Sequence, residues 1–290
     1  MTLESLTIED IENHKIISSD KLIADLDNLR NLPVNNNYSL HGNRFLYHHQ
    51  IKNLMRCTRG RQPTLYNIYA DKERWKKLLS DVRTRNRCGT SLANDIFECY
   101  RINNGSIVMF KASAARHIYH KYGATSVLDP TAGWGGRMLG AWSLDIDYTG
   151  IDTNIEMISA YDQMIDFLNT NVVSLYSSNM KMIWDSCLNV DFSKIEYDFV
   201  LTSPPYINME LYEHMPKWES NKSFYTEFFI PLWEKCVKHI KPNGHVCFNI
   251  SPKMYQDAIK YGLIPCDIEE DFNQQLGRVK KDDKIYIWKR

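Results

Sequence analysis

Several things are missing from this chain, and each absence sets aside a class of function. No apolar run approaches the ~18 residues that a membrane-spanning helix needs, so no membrane segment is expected. The first ten residues, Met1 to Asp10, lack the basic start and apolar stretch of a signal peptide, so secretion is not expected. Seven cysteines occur without one Cys-x-x-Cys pair, which speaks for reduced thiols and an intracellular, cytoplasmic or DNA-associated location. Cys57, Cys88 and Cys99 with His41, His48 and His49 match no zinc spacing, so no metal site is expected. Net charge is also absent, since 35 lysines and arginines balance 35 acids. A nucleic-acid partner would therefore need a local basic excess. No internal repeat is found. The composition is 43% hydrophobic and 24% charged over 290 residues. That is enough for one full α/β core with roughly a hundred residues to spare.

The run Tyr197-Asp198-Phe199-Val200-Leu201 is apolar and β-prone, and Thr202-Ser203-Pro204-Pro205-Tyr206 follows it. Two prolines in a row donate no backbone hydrogen bond and hold φ near −65°, so the strand must stop there with carbonyls left free. The oxygen of Ser203 and the carbonyl of Pro204 could accept both hydrogens of a flat amino group, with the ring of Tyr206 stacked on its face. A proline-ended strand in any α/β protein is the alternative for this segment taken alone.

Upstream, Val127-Leu128-Asp129 reads as a strand entering Pro130-Thr131-Ala132-Gly133-Trp134-Gly135-Gly136, a glycine turn that opens a helix. A second strand, Ile146 to Asp152, ends in an acid about 20 residues past the glycines. A Rossmann-like fold presents a carboxylate to ribose hydroxyls at that distance. Met180 to Asp185 is a third strand ending in an acid. A dinucleotide oxidoreductase would share a bare glycine pattern, but its form would be Gly-x-Gly-x-x-Gly.

With Asp-Pro-x-x-Gly-x-Gly ahead of Thr-Ser-Pro-Pro-Tyr, the chain resembles the S-adenosylmethionine-dependent DNA amino-methyltransferases, which act on N4 of cytosine or N6 of adenine. The resemblance implies S-adenosylmethionine as cofactor. It places Asp129 near the methionine ammonium, Gly133 and Gly135 at close-approach positions, and Asp185 on the adenine amino group. Lys111 and Ser113, at the start of a helix expected over 111–122, would help hold the cofactor carboxylate. Thr131 stands where the family usually has an aromatic. Ser203, Pro204, Pro205 and Tyr206 would act on a base flipped out of double-stranded DNA. Ser203 tilts the target to cytosine N4 over adenine N6. RNA, a protein amide, or a catalytically silent cofactor- or DNA-binding subunit stays open, as does a homodimer.

The implied architecture is a Rossmann-like class I methyltransferase, with a mostly parallel seven-stranded sheet and helices on both faces. It is assigned to residues 109–290, after a mainly helical region over 1–108. Helices are expected over 21–30, 71–85, 154–168 and 222–240, a strand over 245–250, and a closing hairpin over 277–288. Only 84 residues follow Tyr206, so target recognition would have to precede residue 110. Residues 51–90 hold eleven basic residues against three acids. Arg56, Arg59, Arg61, Arg83, Arg85 and Arg87 among them are candidate phosphate contacts. A solvated basic helix face is the alternative.

Overall fold

The structure is a computed structural model. It describes residues 2–36, 38–58, 60, 62–85, 91–105, 107–171, 178–205, 218–272, 275–276, 279–280 and 283–290. Among the described residues, a 3-10 turn over Leu3–Ser5 is followed by six α-helices: α1 (Ile8–Asn13), α2 (Ser19–Arg30), α3 (Asn43–Arg56), α4 (Leu65–Ala70), α5 (Lys72–Arg85) and α6 (Leu92–Asn104). Thr7, Thr64 and Ser91 start three of them by accepting the N–H three residues on. Then follow α7 (Ala112–Lys121), β1 (Ser126–Asp129), α8 (Gly136–Trp142), β2 (Asp147–Asp152), α9 (Ile158–Asn171), β3 (Met180–Trp184) and β4 (Phe199–Thr202). The chain continues through α10 (Asn221–Ser223), a π-helical stretch over Phe224–Phe229, α11 (Ile230–His239), β5 (His245–Ile250) and α12 (Pro252–Lys260). It closes with β6 (Ile268–Asp271), β7 (Gln275–Leu276), β8 (Val279–Lys280) and β9 (Lys284–Lys289).

Seven strands form one sheet in the order β3-β2-β1-β4-β5-β9-β6. All neighbours are parallel except β9, which runs antiparallel to β5 and β6. This is the architecture of the Rossmann-like class I methyltransferases, as the sequence implied. Side chains alternate between two buried clusters. Val127, Phe199, Leu201 and Ile287 face one side, and Leu128, Val200, Phe248 and Trp288 face the other. Both faces are covered, which suits a sheet of near-continuous apolar strands. The strand order reverses between β1 and β4, and the crevice outside their carboxyl ends is where such sheets bind ligands.

The N-terminal helices do not form a core of their own. Leu22, Leu26, Phe45, Leu46 and Phe97 join the cluster on the α7–α8–α9 face, together with Leu139 and Tyr161. Polar ties reinforce this joint. Arg116 donates to the carbonyls of Leu32 (2.7 Å) and Arg30 (2.8 Å), and Arg30 pairs with Asp145 at 3.0 Å.

Two expectations need correction. The helix expected over 222–240 is interrupted by the π stretch, whose end is marked by the Ile230 N–H donating five residues back to Tyr225. Pro231 explains it, because proline offers no N–H and its ring displaces the carbonyl of the preceding turn. The closing hairpin over 277–288 is not the one formed. β9 pairs instead with β6, Ile268 opposite Ile287, while β7 and β8 make a small separate ribbon. Residues 277, 278, 281 and 282 lie outside the described residues. Among the described residues, no helix is long and apolar enough to cross a membrane.

Candidate functional site

The carboxyl ends of β1, β2 and β4 bring the expected motifs together. After β1 the chain turns through Gly133 and Gly135, both with positive φ, 60° and 89°. Among the described residues, a Cβ on Gly133 would meet nothing nearer than the Thr131 carbonyl at 3.9 Å, so these leave open space beside the loop. Gly135 differs, since its Cβ would press on Met164 of α9 at 3.2 Å and Leu46 of α3 at 3.4 Å. Its smallness seats the N-terminal helices. The tightest approach belongs to Gly136, which sequence reasoning passed over. A Cβ there would sit 1.8 Å from the Phe110 carbonyl.

Asp152, ending β2, is latched to that loop. Its Oδ2 accepts the Gly133 N–H at 2.8 Å and its Oδ1 the Asn154 N–H at 2.9 Å. Burial raises its pKa above the ordinary carboxylate value, and these two donors oppose the rise. Each oxygen keeps a lone pair to accept from a hydroxyl. Tyr161, also missed, holds the loop from beneath by donating to the Gly133 carbonyl at 2.9 Å.

Asp129 is fully buried and already engaged. Its Oδ2 accepts from Arg137 Nε and from the Tyr148 hydroxyl, both at 2.7 Å, and its Oδ1 from the Thr131 N–H at 3.4 Å. Burial opposes the charge on Arg137, but Asp129 outweighs it and raises the guanidinium pKa. The Asp129 carboxylate therefore braces the glycine loop from inside. Lys111 and Ser113 are likewise committed, since they donate to the carbonyls of Tyr38 (3.3 Å) and Ser39 (2.9 Å). Burial lowers the Lys111 pKa. Asp185 is exposed after β3, where its Oδ1 accepts from the Ser186 N–H at 2.6 Å and Asn189 Nδ2 at 2.9 Å. Lys235 of α11 fixes the loop beyond it by donating to the carbonyls of Cys187, Leu188 and Val190.

The tip after β4 is joined to the glycine loop. Thr131 Oγ1 lies 2.6 Å from the Thr202 hydroxyl and 3.2 Å from the Ser203 carbonyl. Ser203 is half-buried and donates to the Asn249 carbonyl at 3.2 Å, at the end of β5. Asn249 is buried and was also missed; a polar residue inside the apolar run His245 to Ile250 was the available signal. Pro204 is buried and Pro205 half-buried, while Tyr206 lies outside the described residues.

The basic candidates spread over the N-terminal helices. Arg56 ends α3, 3.9 Å from Glu156 in the turn beyond Asp152, with its guanidinium 5.3 Å from the Tyr66 ring centre. Arg83 pairs with Glu4, and Arg85 donates to Asn103 at 2.6 Å; both are exposed, as are Lys72, Arg74, Lys76 and Lys77 of α5. Arg59, Arg61 and Arg87 lie outside the described residues. Among the described residues, no group of three His, Cys, Asp or Glu side chains could hold a metal ion.

No protein-family model matches the chain, and no curated protein matches it. Solved structures do. One is a Listeria monocytogenes protein assigned to the class I S-adenosylmethionine-dependent methyltransferases, 14% identical, covering 96% of this chain and 88% of its own, with a TM-score of 0.45. Another is TrmN from Thermus thermophilus, 13% identical over 71% of this chain and 69% of its own, also at 0.45. A third is an RNA methyltransferase from Salinibacter ruber in complex with S-adenosyl-L-homocysteine, 12% identical over 63% and 93%, at 0.40. Likenesses of this size decide neither activity nor acceptor, which rest on this chain's own residues.

Proposed function

We propose that this chain is an S-adenosylmethionine-dependent methyltransferase acting on an exocyclic amino group of a DNA base, cytosine N4 ahead of adenine N6. One observation carries the reading. The glycine loop after β1 and the Ser-Pro-Pro tip after β4 are hydrogen-bonded to each other, through Thr131, at the point where the strand order reverses.

The cofactor fits the ribose end of this site. Gly133 leaves space where a side chain would stand, and Asp152 offers acceptors for two hydroxyls beside it. Asp129, Lys111 and Ser113 would act from behind, by holding the loop and the start of α7. When bound, S-adenosylmethionine supplies an electrophilic sulfonium methyl. Ser203 Oγ, oriented by its bond to Asn249, keeps lone pairs for an amino N–H, and the Pro204 carbonyl would take the second. Two such acceptors draw the nitrogen lone pair out of conjugation with the base. No nucleophilic cysteine is needed, and positioning with fixed dipoles supplies the rate. The exposed cations of α5 support a polyanionic acceptor.

Mass spectrometry of nucleosides from cells expressing the protein tests this. Methylated cytosine or adenine in DNA is expected, and lost in Asp152→Ala. Methylation confined to RNA would move the acceptor. No methylated base in either would end the proposal.

A further inference from the structure

Thr131 is held from both sides. Its N–H donates to Asp129 at 3.4 Å, its carbonyl accepts from Arg137, and its hydroxyl reaches Thr202 Oγ1 and the Ser203 carbonyl. Thr202 is fully buried. The arrangement that satisfies both hydroxyls has Thr202 donating to Thr131, and Thr131 donating to the Ser203 carbonyl. Only a hydroxyl at position 131 does this. Among the described residues, an apolar side chain of similar shape would take from a buried hydroxyl and a carbonyl the partner each has here. Behind Thr131 stands the Tyr148–Asp129–Arg137 cluster, with both contacts to Asp129 at 2.7 Å and all three side chains buried. Two residues ahead stands Gly133, latched to Asp152 at 2.8 Å. The short backbone stretch from Thr131 to Gly133 therefore joins the Asp152 latch at one end to the Ser203 tip at the other.

We infer that the Thr131 hydroxyl is a positioning group that couples the two halves of the site. It sets the Ser203 carbonyl, and so the direction of the Ser-Pro-Pro turn, by the state of the glycine loop. Occupancy of the cofactor half is then felt at the acceptor half, and the coupling is reciprocal. This rests on the proposed methyltransferase function, since it takes the loop as the cofactor half.

The test compares Thr131→Val, which keeps the shape and loses the hydroxyl, with Thr131→Ser, which keeps the hydroxyl. Thr131→Ala, smaller and free of any clash, replaces the valine variant if that variant melts early. Amide hydrogen exchange at Ser203 is followed with and without S-adenosylhomocysteine. The ligand is expected to slow exchange at Gly133 in every variant, but at Ser203 only in wild type and Thr131→Ser. In parallel, tritiated methyl transfer to unmethylated plasmid DNA and to total RNA should fall in kcat by about 10-fold in Thr131→Val, with cofactor KM changed by less than about 3-fold. Thr131→Ser should rescue most of that loss. Protection of Ser203 in Thr131→Val equal to wild type would overturn the inference. A wild type that binds the ligand yet transfers to neither nucleic acid would overturn the function alone, because the exchange measurement still decides the coupling. A wild type that binds no S-adenosylhomocysteine would overturn both.

Discussion

The backbone N–H of Gly133 donates to Asp152 Oδ2 at 2.8 Å, so the loop after the first strand is latched to the acid that ends the second. One carboxylate thereby shapes the loop and faces the space that Gly133 leaves open. Asp152→Ala is expected to weaken S-adenosylmethionine binding by about 1–3 kcal/mol, because polar groups on both sides lose their acceptor. The raised pKa adds a pH dependence. The protonated acid is the weaker acceptor, so affinity should fall with decreasing pH from above the ordinary carboxylate range. Calorimetry on wild type and variant checks both, and unchanged affinity in the variant would sink the assignment.

Tyr206→Ala is expected to leave cofactor affinity intact while lowering methyl transfer to duplex DNA. The lost stacking, roughly 1–3 kcal/mol per base, affects only the flipped state. Tyr206→Phe should keep much of the activity, since the ring face matters more than the hydroxyl. Transfer at saturating cofactor and limiting DNA is the quantity to measure. A Tyr206→Ala enzyme as fast as wild type would reduce the proline tip to a strand ending.

Replacing Arg83, Arg85 and Arg87 by glutamine should flatten the salt dependence of DNA binding. Each lost phosphate contact lowers the slope of log K against log salt by about 0.9. Arg83 must exchange Glu4 for phosphate, and Arg85 must leave Asn103, so these two act only if the helix face meets DNA. Filter binding from low to high salt would show it, and an unchanged slope would make α5 a solvated helix.

Acid should loosen the N-terminal helices first. Burial lowers the pKa values of His14 and His49 to about 4. The unfolded chain then binds more protons between about pH 6.5 and pH 4, so stability is lost as pH falls through that window. His49 packs with its ring 4.6 Å from Phe45 and 6.2 Å from Phe167. His49→Phe should therefore lose less stability than wild type between pH 7 and pH 5. Urea unfolding at the two values decides it, and equal losses would rule the residue out.

The arrangement of the candidate site was legible where a polar or proline residue ends an apolar run. Asp129, Asp152 and the Ser203 turn close β1, β2 and β4 because acids and prolines stop strands that apolar residues start. Partnerships across the chain were not legible. Lys111 and Ser113 bond carbonyls 73 and 74 positions away, and Arg116 bonds one 84 away. No periodicity encodes such a pairing. The partners of Asp129 were hidden for the same reason: Arg137 and Tyr148 meet it only once α8 and β2 have packed. The π stretch needed Pro231 to be weighed against its own turn, and the closing hairpin needed β6, whose Glu-rich sequence hides a strand.

Lys111 at the start of α7, with Ser113 and Arg116 within it, grips the carbonyls of Arg30, Leu32, Tyr38 and Ser39, and on the proposed function this bears on how a target could change. A recognition module that only touches its catalytic partner can be exchanged whole by recombination. Here Leu22, Leu26, Phe45, Leu46 and Phe97 complete the same buried layer that Gly135 and Leu139 help to form. Grafting in another protein's helices would strip that layer and leave Lys111, Ser113 and Arg116 with nothing to hold. If these helices read the target, as the proposed function holds, new specificity would arise in place, one exposed side chain at a time.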